Sequence, residues 1–227
     1  MSDPGLAPTP WRGPEGPFVG TPPPARAPRR WAHDERLDAL LRELFAVHGP
    51  QRWWPARTPY EVCVGALLVQ HTTWRGAERA LANLRAARLL SPARQLAADA
   101  GALGRALRPS GTWRLKRARL LAFADWYRAA GGLRALTEPP LERARAALLA
   151  VPGVGPETAD AMLCYAAARR AVVMDVYARR LLAARGLVRA GSDLATCRAF
   201  VAERLVRSQW VHEEFHALCV RAGRAGR

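Results

Sequence analysis

Apolar residues recur at helical spacing along most of the chain. In DERLDALLRELFAVHG, Leu37, Leu40, Leu41, Leu44 and Phe45 share one face, and Gly49 supplies a stop. PYEVCVGALLVQHTT is apolar nearly all round, which predicts a buried central helix ending near Gln70. Amphipathic helices are predicted over WRGAERALANLRAARL, SPARQLAADAGALGRALR, WRLKRARLLAFADWYRAAG and PPLERARAALLAV. The turn PGVG then leads into a second buried run, PETADAMLCYAAA. After AVVMD follow VYARRLLAARG, DLATCRAFVAERLV and QWVHEEFHALCVRAG. Only AVVM has the composition of a strand, and one isolated strand makes no sheet. The expected fold class is all-α.

Residues 1–30 break the pattern. They are rich in proline and glycine, lack periodicity, and are expected to be a disordered tail or a misassigned start. Trp11 and Phe18 make a candidate docking motif there, with an inert tail as the simpler reading. The chain has 227 residues, half of them hydrophobic, enough for one generous domain or two small lobes. Net charge is +16, carried almost entirely by arginine, and Lys116 is the sole lysine. That excess points to a polyanion, because neutralising phosphates releases condensed counterions. A basic ribosomal-type or membrane-surface protein is the alternative. No apolar run reaches the roughly 18 residues of a membrane span, and no signal-peptide pattern opens the chain. Cys63, Cys164, Cys197 and Cys219 are far apart without C-x-x-C spacing, so they read as thiols of a reducing compartment, the cytoplasm.

The stretch LLAVPGVGPETADAMLCY holds the first chemistry. A P-G-x-G turn at a helix junction needs glycine for positive φ and close backbone approach, and Pro156 suits the first turn of a helix. N–H groups at such a junction can converge on a phosphate. An ordinary helix–turn–helix corner has the same local sequence; the +16 charge favours the phosphate.

VPGVGPETAD, followed after a hydrophobic helix by VVMDVYARRLL, resembles the helix-hairpin-helix plus Gly/Pro-Asp signature of the endonuclease III superfamily of DNA glycosylases. Asp175 follows Gly153 by 22 residues, the interval of that signature. Upstream, WWPARTPYEVCVGALLVQHTTW resembles the opening of the same enzymes, and the matches run from about Arg36 to Arg221. The resemblance implies two lobes: a helical barrel carrying the hairpin over residues 56–170, and a terminal-helix lobe from residues 31–55 and 171–220; Arg221, Arg224 and Arg227 themselves make residues 221–227 a basic tail that touches the DNA backbone or is disordered. It makes Asp175 the catalytic carboxylate, and an aspartate in VVMDV also reads as a helix N-cap.

Bifunctional members of the superfamily carry a lysine just after the hairpin that forms a Schiff base with the sugar. Glu157 stands there in this chain, so the resemblance is to the monofunctional enzymes, which use water. Glu157 also reads as a charge favourable to a helix N-terminus. Many relatives end in a four-cysteine loop holding a [4Fe–4S] cluster; no cysteine follows Cys219, so no cluster and no metal is expected.

The W-W-P pair, the Q-x-T-x-W arrangement and the G-P-E-T-A-D run together resemble the 3-methyladenine DNA glycosylase III branch. By that resemblance Trp53 and Trp74 sandwich an extruded base, Trp54 and Pro55 line its pocket, and Glu157 meets it. An N-alkylated purine is cationic and suits an electron-rich indole. Helix packing is the other reading of these tryptophans. Gln70 would fill the hole left by the base, or be plain solvent-facing decoration at a helix end, with Gly153, Val154, Gly155 and Thr158 on the DNA backbone. The partner expected is double-stranded DNA carrying damaged bases, engaged by a monomer close to the nucleoid. His71, Tyr177, His212 and His216 receive no role, and Arg224 is a candidate neighbour of the pocket. The rival readings are a monofunctional glycosylase for another damaged or mismatched base, and a non-catalytic hairpin module that only holds DNA.

Overall fold

The computed structural model describes residues 21–22, 24, 27–51 and 53–225. Twelve α-helices follow in order among them: α1 Glu35–His48, α2 Pro59–Leu68, α3 Trp74–Ala86, α4 Pro92–Leu96, α5 Ala100–Leu107, α6 Trp113–Ala129, α7 Arg134–Thr137, α8 Leu141–Leu149, α9 Pro156–Ala161, α10 Val176–Ala184, α11 Leu194–Arg204 and α12 Gln209–Ala225. The all-α expectation holds. Residues 171–174, the AVVM run, carry no regular structure and join no ladder, and the single bridge among the described residues pairs Ala32 with Leu205. No helix among them is long and apolar enough to cross a membrane.

The helices start where side chains satisfy their first N–H groups. Asp34, Thr58, Thr73, Ser91, Asp99, Asp175 and Asp193 each accept from the amide three residues on. At α2 the Glu61 carboxylate also turns back to accept from Arg57 N at 2.8 Å.

Two compact units divide the chain, residues 1–55 with 172–227, and residues 56–171. In the first, Leu37, Leu40, Leu41 and Leu44 of α1 share a core with Ala178 and Leu182 of α10, Cys197 and Val201 of α11, and Phe215 and Leu218 of α12. Trp31, Phe45 and Trp210 close one end, with ring centroids 5.0–5.7 Å apart. The second unit is built around α2, buried at every position but Pro59. α3, α6 and α9 surround it, and Tyr60 stacks on Phe123 of α6 with centroids 6.0 Å apart.

At the two ends of the chain the described residues carry more structure than expected. The stretch expected to be disordered to residue 30 is held in its described part: Thr21 donates from N and Oγ1 to the Glu213 carboxylate at 3.0 and 2.9 Å. The chain is then drawn in by Trp31, whose N–H bonds Asp38 and whose ring is only 1% exposed. Residues 1–20, including Trp11 and Phe18, lie outside the described residues. At the other end, α12 runs on to Ala225, so Arg221 and Arg224 stand on helix and not in a tail. Packing sustains it there: Tyr177 of α10 lies so close to Gly223 that a Cβ would sit 2.6 Å from its ring. Arg227 lies outside the described residues.

Candidate active site

The hairpin joins α8 to α9 within the second unit. Gly153 has φ +87°, a conformation only glycine adopts without strain, and a Cβ there would stand 2.2 Å from Cγ of Arg119. Gly155 differs from expectation: its backbone is extended (φ −90°, ψ 175°), with nothing within 4 Å of an added Cβ. Its place as the residue before Pro156 at the start of α9, with no side chain in the way, accounts for it. Val154 is buried, and its N–H is committed to Val151 O at 3.0 Å, so this amide does not join a phosphate nest. Behind the turn, Asp160 of α9 takes two bonds from Arg145 of α8, at 2.8 and 3.1 Å, with the carboxylate almost wholly enclosed. That ion pair locks the two hairpin helices together and has no signature in hydrophobic periodicity.

Gln70, Gly153 and Thr158 meet. The Gln70 amide donates to Gly153 O at 3.0 Å and to Thr158 Oγ1 at 2.9 Å, and its oxygen accepts from Arg119 Nη1 at 2.6 Å. The Thr158 hydroxyl, expected on the DNA, thus faces Gln70, and the side chain is buried. Glu157 stands exposed in the first turn of α9, where its charge opposes the positive end of the helix dipole. Lys116 is 1% exposed and donates from Nζ to Leu68 O and Ser110 O. Burial, with Arg119 adding repulsion, pushes its pKa down to about 8. Trp74 opens α3 and is half-buried.

In the first unit Asp175 caps α10. One carboxylate oxygen accepts from Ala178 N at 2.7 Å; the other lies 3.9 Å from Nε2 of His216 on α12. At 5% exposure the carboxylate is largely withheld from water. Burial holds the His216 imidazole below its ordinary pKa, opposed by Asp175 and assisted by Arg224, so at neutral pH it meets Asp175 uncharged. Trp53 sets its ring edge-on to His216, with centroids 6.1 Å apart, and the Arg224 guanidinium lies 5.7 Å over the same indole. Cys219, one turn beyond His216, is a buried thiol pushed up by burial and by the nearby Asp175 charge. Trp54 is 3% exposed, packed as a core residue, and Pro55 is half-buried.

Asp175 and Trp53 are therefore brought together, and with them two residues that received no firm role from sequence, His216 and Arg224. Their spacing on α12, eight residues, returns them to one helical side, but QWVHEEFHALCVRAG reads as an ordinary packing face until α10 is laid beside it.

No protein-family model matches the chain. A protein of Methanocaldococcus jannaschii named as a DNA repair glycosylase is 34% identical over 189 residues, covering 82% of this chain and 86% of the relative. The chain belongs to the helix-hairpin-helix DNA repair glycosylases. The glycosylase fold is seen in solved structures too. The H. pylori 3-methyladenine DNA glycosylase MagIII, bound to 1,N6-ethenoadenine, superposes with a TM-score of 0.72 at 22% identity, over 83% of this chain and 97% of that one. A trapped endonuclease III–DNA covalent intermediate superposes at 0.69 and 16% identity, over 82% and 84%.

Proposed function

We propose that this glycosylase is monofunctional and releases alkylated purines from double-stranded DNA by hydrolysis, 3-methyladenine first and 7-methylguanine as a further substrate. The observation that carries the reading is Asp175, a buried carboxylate with one oxygen fixed by the α10 cap and the other turned to His216 beside Trp53. As the glycosidic bond breaks, its electron pair leaves with the purine and positive charge develops on the deoxyribose. A fixed anion stabilises that charge, or takes the proton of the attacking water. Water then adds to the sugar and an abasic site remains. Trp53 offers its indole to the extruded base, and Trp74 is assigned the same task; Trp54 and Pro55 support the pocket, and Glu157 stands ready for the base edge. Gln70 fills the duplex gap while Gly153 and Gly155 present backbone to a phosphate.

Hydrolysis without strand cleavage is supported by the hairpin chemistry. Glu157 cannot form a Schiff base, and the one lysine amine is enclosed between two carbonyls. The name of the H. pylori enzyme supports the substrate class. The proposal includes no iron–sulfur cluster, since the four cysteines are widely spaced along the chain. The enzyme is proposed to act as a monomer.

The test is chromatography of bases released from methylated duplex DNA, with strand scission scored before and after hot alkali. Release of 3-methyladenine with scission only after alkali is expected. Asp175→Asn should retain binding to an abasic-site duplex and lose release by about a hundredfold or more. Scission without alkali sinks the hydrolytic mechanism, and unchanged release by Asp175→Asn removes the carboxylate from it.

A further inference from the structure

Lys116 and Arg119 stand one turn apart on α6. Lys116 Nζ donates to Leu68 O at 2.8 Å; this carbonyl closes α2 and belongs to the set a helix end leaves without an internal partner. The same ammonium holds Ser110 O, ahead of α6. Arg119 donates to Gln70 Oε1 at 2.6 Å while its aliphatic stem lies flat on Gly153. A guanidinium only donates and a carbonyl only accepts, so these contacts fix which end of the Gln70 amide is oxygen. Its nitrogen is left to Gly153 O and Thr158 Oγ1. Just beyond Gln70 the chain turns through His71 at φ +51°, a conformation that a non-glycine residue keeps only when its surroundings impose it. Two cations one helical turn apart thus grip both sides of the turn that presents Gln70, and one of them also packs on the hairpin.

We propose that Arg119 is a positioning residue that clamps the turn at residues 68–72 to the hairpin, with Lys116 fastening the start of the same turn to α6, so that Gln70 is preset in its gap-filling position whenever the hairpin takes hold of the DNA backbone. This rests on the proposed role of Gln70 in the duplex. The clamp removes the rotamer freedom of a long side chain before binding, so none of that ordering is left for the encounter with DNA.

The probe is a duplex with a tetrahydrofuran abasic analogue opposite 2-aminopurine, whose emission responds to what enters the gap and needs no base release. At saturating protein, the wild type should change the emission and Gln70→Ala should not. Arg119→Met should match Gln70→Ala, while its Kd for undamaged duplex stays within about threefold of wild type. The two substitutions should not compound: in release assays the double variant should show about the kcat of the worse single variant. A merely structural role for Arg119 would move Kd and thermal midpoint instead, and Arg119→Lys, which keeps charge and stem, should restore part of the emission change. A full wild-type signal from Arg119→Met, or kcat losses that multiply with Gln70→Ala, overturns the clamp. A wild type that releases no base from methylated DNA but whose emission change depends on Arg119 would refute the proposed substrate and leave the clamp standing.

Discussion

At the scale of single residues, the cluster around Asp175 alters what the sequence implied about substrate. An indole face favours a cationic base, but the Trp53 face is already approached by the Arg224 guanidinium at 5.7 Å. A fixed cation there attracts the ring and repels a positively charged purine. Arg224→Met is therefore expected to raise release of cationic 3-methyladenine and 7-methylguanine relative to neutral 1,N6-ethenoadenine by about two- to fivefold, the range of one exposed cation–π contact. Competition between methylated and etheno-containing duplexes measures it, and an unchanged ratio removes Arg224 from selectivity. His216 gives a pH signature. Its folded pKa lies below the 6.5 of an unfolded histidine, chiefly through burial. As pH drops beneath 6.5 the unfolded chain takes up a proton that the folded protein refuses, so this group lowers stability there and has no effect above that pH. Urea midpoints at pH 7.5 and 5.5 should fall more for the wild type than for His216→Gln; equal falls would place the acid sensitivity elsewhere. Asp175 was legible in the sequence because capping and signature spacing coincide in VVMDV. His216 was not, since a histidine in an apolar helix has no partner until another helix supplies one.

At the scale of elements, periodicity found most helices, because each buries one face or, like α2, almost all of its surface, but it ran α4 and α5 together across the Asp99 cap and gave no sign of the short α7. It missed how the second buried run ends. PETADAMLCYAAA was expected to be one helix, yet α9 stops at Ala161 and the chain widens into a π-helical turn over Met162–Ala166, followed by Ala168 at φ +50°. Five consecutive buried residues carry no polar side from which a period can be read. The hairpin glycines were legible as a pair and are physically unequal. Gly153→Ala meets both a positive φ and the Arg119 stem, and should cost more than about 2 kcal/mol. Gly155→Ala changes an extended residue with open space around it and should cost about 1 kcal/mol or less. Urea denaturation of both variants decides this. Equal losses would mean that the turn tolerates a side chain at Gly153 by moving Arg119 aside.

At the scale of the whole molecule, the +16 charge and the proposed stacking of a base on Trp53 contribute to binding in ways that salt separates. Contacts between arginine and phosphate release counterions, so the logarithm of the binding constant falls by about 0.9 per phosphate for each logarithmic unit of salt. Stacking of an extruded base releases none. The charge was fully legible in the sequence; its use was not, because composition says nothing about which arginines are already bound. Arg145 is held by Asp160, Arg85 by Glu61 and Arg185 by Glu43, so these three are less available to DNA than their number implies. The slope for undamaged duplex should accordingly report fewer phosphates than the chain's 35 basic residues. Trp53→Ala should leave that slope unchanged while lowering the preference for a damaged over an undamaged site by about tenfold, the loss of one base–aromatic contact. Titrations at several salt concentrations, on matched duplexes with and without 1,N6-ethenoadenine, give both quantities. A slope that changes with Trp53→Ala would mean that the tryptophan orders the phosphate contacts, and an unchanged preference would return it to plain packing against His216.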